Sequence, residues 1–190
     1  WDACFDCDNE FASIADSVSV GYNIAPTQTI PVMAACDSGA SCRWLTARWG
    51  MVGPWVKSAE DISSKFATFN ARSETVAEKA TFKSAWSAGR RCIVPALGYY
   101  EWQKVEDGKQ PFFIHCAGDS PLFIGGIYEP PRDSAQGADV PASCTIITLP
   151  ASDAMASLHH RMPLMFADSD AWLGSGSFDD HLDDLSWHAV

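Results

Sequence analysis

The chain contains no run of about 18 apolar residues and no charged start leading into an apolar stretch, so neither a membrane span nor a secretory leader is expected. It also lacks a Gly-rich phosphate loop and a G-x-S-x-G element, which argues against nucleotide hydrolases and α/β-hydrolases. No repeat or low-complexity linker divides its 190 residues, a length near that of one domain, and 47% hydrophobic residues with 8 Trp and 10 Phe can fill a sizeable core. These absences point to one domain in the cytoplasm, with no membrane partner. Positive charge is missing from both ends: residues 1–42 hold six Asp or Glu and no Lys or Arg, and residues 162–190 repeat that count. The first residue is Trp1 rather than Met, which predicts that the native chain begins upstream.

The net charge of -11 hides an uneven distribution. Residues 43–91 carry nine Lys or Arg against four Asp or Glu, a local excess of five positive charges. A polyanion could bind there, since the potential of a local face governs contact more than the total does. On charge alone, a solvated face of mixed sign remains the better account.

Seven cysteines stand at positions 4, 7, 36, 42, 92, 116 and 144, several within apolar runs, and are expected to be buried reduced thiols. The C-x-x-C of "CFDC" lacks a second pair at zinc-knuckle spacing, because Cys36 and Cys42 are too far apart. No metal or other cofactor is expected.

Short apolar runs bounded by turn residues dominate the middle. "TIPVMAAC" and "CRWLTARWGMV" read as the strands of a hairpin. "RRCIVPALGYYEWQKV", "QPFFIHCA", "PLFIGGIYEP" and "SCTIITLPA" are further β-rich runs, and "PPRDSAQGADVPAS" is a surface loop. From Ser73 to Ala88, the spacing of Val76, Ala77, Ala80, Phe82, Ala85 and Trp86 predicts a helix capped by Ser73 or Thr75 and ended by Gly89. "ASDAMASL" and "DSDAWLG" predict two shorter helices. The fold class is α+β, with mixed or antiparallel sheets curled into a barrel-like core and few helices.

Several polar residues sit at the ends of apolar runs, where a scaffold can hold them rigidly. Glu101 is flanked by Tyr99, Tyr100 and Trp102, and desolvation there is expected to raise its pKa into the range of a general acid or base; an exposed strand-end Glu is the plain alternative. His159 and His160 precede Arg161 in "LHHRMP", a cluster suited to proton transfer and anion binding as well as to simple packing. Asn70 and Arg72 are two residues apart, so in extended chain they point to one side. Asn23 in "YNIAPTQ", ahead of Pro26, fits a turn residue equally well.

Taken in order, "YNIAPTQ", "RWGMVGPW", "NARSET", "RRCIVPALGYYEW", "FIGGIYE", "CTIIT" and "LHHRMPLMF" resemble the SRAP family, the SOS-response-associated peptidases, from about Tyr22 to Trp172, and "SWHAV" resembles its late strand. The resemblance implies a sensor that binds single-stranded DNA at an abasic site and forms a covalent thiazolidine crosslink through an N-terminal Cys. The same chemistry is implied in self-removal of the initiator Met. It implies that Asn70 positions the N-terminal residue or the sugar, Glu101 acts as acid and base, and His159 stabilises or protonates the sugar. Arg72 and Arg161 are implied to hold phosphate, and Asn23 with Pro26 to line the site. In this sequence Cys4 and Cys7 are neither terminal nor followed by Gly-Arg, so the reactive Cys is expected to precede Trp1, and the C-terminal residues are expected to be cut short. The implied partner is damaged single-stranded DNA, at the nucleoid if the source is bacterial, and a monomer is the simplest expectation for the oligomeric state. Two other functions fit the residues less fully: a non-covalent single-strand binder stacking bases on Trp49, Trp55 and Trp102, and a thiol peptidase acting on other proteins.

Overall fold

In the computed structural model of the chain the described residues are 21–35, 42–62, 67–116, 120–133, 139–174, 177–180 and 185–190, with Ile14 and Leu182. The expected hairpin is formed by β1 (Thr29–Ala35) and β2 (Cys42–Trp49), antiparallel from Thr29 opposite Arg48 to Ala35 opposite Cys42. Ile30, Val32 and Ala34 alternate inward along β1, as a period of two requires when one face meets the core. After a short turn of 3-10 helix at Ala59–Asp61 come β3 (Asn70–Arg72), the helix α1 (Ala80–Ser87), β4 (Arg91–Ala96), β5 (Tyr99–Val105), β6 (Gly108–Cys116), β7 (Leu122–Glu129) and β8 (Ser143–Pro150). The chain continues through β9 (Arg161–Pro163), β10 (Met165–Phe166), the one-turn helix α2 (Asp170–Leu173), a second 3-10 turn at Phe178–Asp180 and β11 (Leu185–Ala189).

Eight strands form one mixed sheet in the order β10-β7-β4-β1-β2-β8-β3, with β9 on β8. An additional pairing of β7 with β8 joins β1, β2, β8, β7 and β4 into a closed ring, the barrel-like core that the pattern predicted. It falls short of a regular barrel, because β2 meets β8 only at Arg48 opposite Ser143 and Trp49 opposite Cys144. Strand β8 is the spine: its first half lies between β2 and β7, and its second half lies between β3, in parallel, and β9, antiparallel.

Directly opposed residues share a face of a sheet. Ala34 opposes Cys92, Cys92 opposes Gly126 and Tyr128 opposes Cys144, so these residues fill the inside of the ring together with Val32, Ala47 and Ala142. Further along the same inner face stand Val94, Ala96, Ile124, Ile146 and Thr148, which no longer close over one another but line a cavity. The ring is packed at one end and open at the other.

A larger cluster on the outer side joins Phe82 and Ala85 of α1 to Ile93, Ile127, Leu164, Met165, Phe166 and Trp172. Trp172 is fully buried, its indole N–H donating to the Gly126 carbonyl at 2.9 Å, its ring stacked on Phe166 and covered by the Arg91 guanidinium at 4.3 Å. Burial holds the Arg91 pKa below its ordinary value.

One expectation is refined and two change. The run "RRCIVPALGYYEWQKV" is two strands in two sheets: β4 belongs to the ring, whereas β5 joins β6 and β11 in a separate three-stranded sheet. The crossing occurs at Leu97 and Gly98, and a Cβ on Gly98 would strike the Ile114 carbonyl and the Phe113 ring, so the close approach requires glycine. The helix expected from Ser73 begins only at Ala80, with Lys79 at the cap position and no side-chain cap. Residues 73–78 turn instead, because the Ser73 N–H is taken by the Thr148 carbonyl of β8 at 3.0 Å and Val76 is buried there, a tertiary demand that overrides local periodicity. "ASDAMASL" likewise forms turns, not helix, with Met155 and Leu158 as its buried anchors. The expected loop after β7 carries one antiparallel bridge, Arg132 with Val140. Cys4, Cys7 and Cys36 lie outside the described residues.

Candidate functional site

The open end of the ring is a cavity of about 840 Å3. Its floor is apolar, from Ile30, Val94, Ala96, Ile124 and Ile146, and its rim mixes polar groups with aromatic residues such as Tyr100 and Trp102. Of the residues singled out in the sequence, Asn23, Pro26, Asn70, Glu101, His159 and Arg161 all line it, although they come from well-separated segments of the chain. Arg72 does not line it.

Glu101 reaches the rim because of β5. Tyr99, Glu101 and Gln103 alternate on one side of that strand, and Gln103 donates to the Ser157 carbonyl at 2.7 Å, tying β5 to the 153–158 turn. Glu101 Oε2 then lies 3.6 Å from His159 Nδ1, with the carboxylate 22% and the imidazole 35% exposed. The other carboxylate oxygen accepts from the Trp102 amide at 3.0 Å. His159 Nδ1 also stands 3.2 Å from the Arg161 amide, from which it accepts as a neutral ring, and 3.1 Å from the Arg161 carbonyl, to which it donates when protonated. One nitrogen thus has an acceptor and a donor role within reach, and a carboxylate nearby. Such a group can move a proton between a bound ligand and Glu101.

Arg161, two residues on, is held tightly. Its guanidinium donates to both oxygens of Glu74 and to the Thr148 carbonyl, and lies 3.2 Å from Thr148 Oγ1. The bond to Arg161 is the main cause that pulls the Glu74 carboxyl down to about 2 from an ordinary 4.5. The Glu74 side chain is 48% exposed, that of Arg161 14%. The family resemblance implies that Arg161 holds a phosphate, and neither it nor the residue pattern singles out Glu74, which sits four residues after Asn70 in the same "NARSET" segment. Its signal is only an acid near a base, common on any surface.

Asn70 and Arg72 do share a side of β3, flanking buried Ala71, with Asn70 opposite Ile146 and Arg72 opposite Thr148. Asn70 faces the cavity; Arg72 is exposed beyond its edge and has no partner among the described residues. Asn23 and Pro26 enter through a tight turn in which the Ala25 amide donates to Gln28 Oε1 and the Thr27 amide to the Trp49 carbonyl at 2.7 Å. Thr27 takes φ 80°, a left-handed conformation that costs a β-branched residue on the order of 1–3 kcal/mol. Strain of this kind is held in place by the hydrogen bonds around it, and here it fixes one wall of the cavity.

Tyr99 adds a group that the sequence pattern does not mark as functional. Its hydroxyl is buried without a partner among the described residues, and burial, reinforced by the Glu101 carboxylate, pushes the phenol well above its ordinary value, so it stays a hydrogen-bond donor. The described cysteines stay away. Cys92 and Cys144 are buried inside the ring, where burial pushes the Cys144 thiol up to about 12 and the Cys92 thiol well up, and neither Cys42 nor Cys116 lines the cavity. Among the described residues no group of three or more His, Cys, Asp or Glu could hold a metal, and no helix is long and apolar enough to cross a membrane.

The model of the family described as SOS response associated peptidase (SRAP) matches residues 4–187. The chain belongs to the SRAP family. It is 33% identical over 199 residues to the abasic site processing protein HMCES of Pongo abelii, an alignment covering 85% of this chain and 55% of that protein. It is also 33% identical over 168 residues to the abasic site processing protein YobE of Bacillus subtilis, covering 86% of this chain and 73% of that one. A crystal structure of a Bordetella bronchiseptica protein superposes with a TM-score of 0.76 at 26% identity, covering 99% of this chain and 97% of that one. This SRAP chain therefore spans little more than half of the vertebrate relative and most of the bacterial one. Residues of the "NARSET", "YYEW" and "HHRMP" blocks, far apart in sequence, meet in the cavity lining.

Proposed function

We propose that this SRAP chain, acting as a monomer, binds single-stranded DNA at an abasic site and captures it covalently. Support comes first from the Glu101–His159 pair, 3.6 Å apart on the rim of a cavity that Asn70 and Arg161 also line. Its relatives carry the name abasic site processing protein, which makes an abasic sugar the ligand to fit there.

The capture requires an α-amine and a thiol on one residue. The amine adds to the aldehyde carbon of the ring-opened sugar, water leaves to give a Schiff base, and the thiol adds to the same carbon to close a thiazolidine. Each step moves a proton. Glu101 accepts from the attacking amine and returns a proton to the departing water, and His159 relays protons to the sugar oxygens. Asn70 holds the sugar or the attacking residue, Arg161 and Arg72 meet phosphates, and Asn23 and Pro26 shape the entry. An amino-terminal Cys supplies the nucleophile, in keeping with the position of every described cysteine outside the cavity lining. Self-removal of an initiator Met uses the same Cys and Glu101.

The apolar floor and the exposed Tyr100 and Trp102 at the rim suit the second reading, in which intact strands stack without covalent capture. One experiment separates the two. The full-length protein with its native N-terminus is incubated with single-stranded DNA bearing one abasic site, and with the same strand intact, then heated in detergent. A heat-stable shifted band with the damaged strand alone supports capture. Equal binding of both strands and no stable band supports the stacking module instead.

A further inference from the structure

The phosphate contact assigned to Arg161 meets an obstacle, since its guanidinium already has a carboxylate against it. Two partners hold it, and they differ in kind. Thr148 belongs to the spine strand β8, and its carbonyl and hydroxyl anchor the inner side of the guanidinium. Glu74 lies on the 73–78 turn with its side chain 48% exposed, and it covers the outer fork with both oxygens. A planar carboxylate and the two anionic oxygens of a phosphodiester present the same bidentate pattern to an arginine. Arg161 itself is only 14% exposed, so there is no second open fork for a phosphate beside the first.

We propose that Glu74 is an internal stand-in for a strand phosphate, occupying the outer fork of Arg161 in the free protein and giving way when single-stranded DNA enters the cavity mouth. This rests on the reading that Arg161 contacts DNA. Thr148 keeps the guanidinium aimed at the rim throughout, so the exchange needs only a change of side-chain rotamer in Glu74. Any ordinary carboxyl is ionised at neutral pH, and the bond to Arg161 holds that of Glu74 lower still, so the phosphate must win by competition and not by protonation of its rival. The consequence is a repulsive element that lowers affinity for any strand, damaged or intact, and leaves retention to the covalent step.

The test uses full-length protein and a fluorescent oligothymidylate with no abasic site, followed by anisotropy at low and moderate salt. Glu74→Gln is expected to bind about three- to tenfold more tightly, and Arg161→Gln more weakly. In the double variant the gain from Glu74→Gln disappears. Glu78→Gln, which removes an exposed carboxylate from the same turn, is expected to change affinity by less than about twofold and so separates a local competitor from a general loss of negative charge. Should Arg161→Gln unfold, Arg161→Lys keeps the charge without the fork and is expected to abolish the Glu74→Gln gain. If Glu74→Gln binds equally or more weakly while Arg161→Gln loses affinity, Glu74 merely orients the arginine and the proposal fails, though the DNA contact stands. If Arg161→Gln binds as the parent does, the contact itself is wrong.

Discussion

His159 and Arg161 are two residues apart, and each side chain faces a carboxylate, yet the two pairs are built differently. His159 and Glu101 are 3.6 Å apart, with the imidazole nitrogen shared among the Arg161 backbone and the carboxylate. Arg161 and Glu74 are joined at both oxygens and backed by Thr148. A loosely coupled pair can change proton occupancy without breaking structure, which suits acid-base work; a closed fork sets the charge that an incoming anion sees. Nearby residues of one segment are thus held differently because their partners come from different parts of the fold, β5 for one and the turn after β3 for the other.

The division can be broken in several ways, and the largest effect is expected at the loose pair. Glu101→Gln should slow crosslinking to an abasic strand by about 10²–10⁴-fold while leaving the unfolding midpoint near that of the parent, as followed by heat-stable band formation and thermal melts. An unchanged rate would remove Glu101 from proton transfer. Next come the two arginines: Arg161→Gln should lower stability by about 1–2 kcal/mol in urea unfolding, because Glu74 loses its donor and the Thr148 carbonyl keeps only the Ser73 amide. Arg72→Gln should stay within about 0.5 kcal/mol, since the side chain is exposed and unpartnered among the described residues. Both should reduce the salt slope of single-strand binding by about 0.7 for each phosphate that is no longer neutralised.

A smaller effect follows from the Glu74 carboxyl, held at about 2 against an ordinary 4.5. A carboxylate whose folded pKa is depressed contributes stability that is fully present above 4.5 and is lost as pH falls through about 2. Thermal melts between pH 5 and 2 should therefore show the parent losing stability relative to Glu74→Gln, by less than about 1 kcal/mol because the group is half exposed. Smallest of all is Thr148→Val, at about 0.5 kcal/mol in urea unfolding, since the backbone carbonyl still holds Arg161. A larger loss would shift the anchor from backbone to hydroxyl.

Much of the candidate site was legible because its residues stand beside apolar runs that become strands: Asn70 begins β3, Glu101 lies near the start of β5 and His159 just precedes β9. Asn70, Glu101 and His159 are marked that way, and the cavity brings all three together. The helix expected from Ser73 was not legible as a turn, since only the Thr148 carbonyl, far along the chain, explains why residues 73–78 bend away from helix. Glu74 is hidden for the same reason: nothing local marks an acid whose partner is 87 residues distant.

The amino-acid sequence by itself determined the strand-rich α+β class, the β1–β2 hairpin, the basic middle and the residue types available for the chemistry, because periodicity, turn residues and side-chain identity are local properties. The tertiary structure alone decided which of the two arginines is held by a carboxylate and which stands exposed. Closing the ring through β7 and β8 leaves its inner face open at one end, and pairing β3 and β9 to opposite sides of β8 lets Arg161 reach Glu74 across Thr148 while Arg72 remains in solvent. Those outcomes depend on strand neighbours far apart in the chain, and no local pattern carries that information.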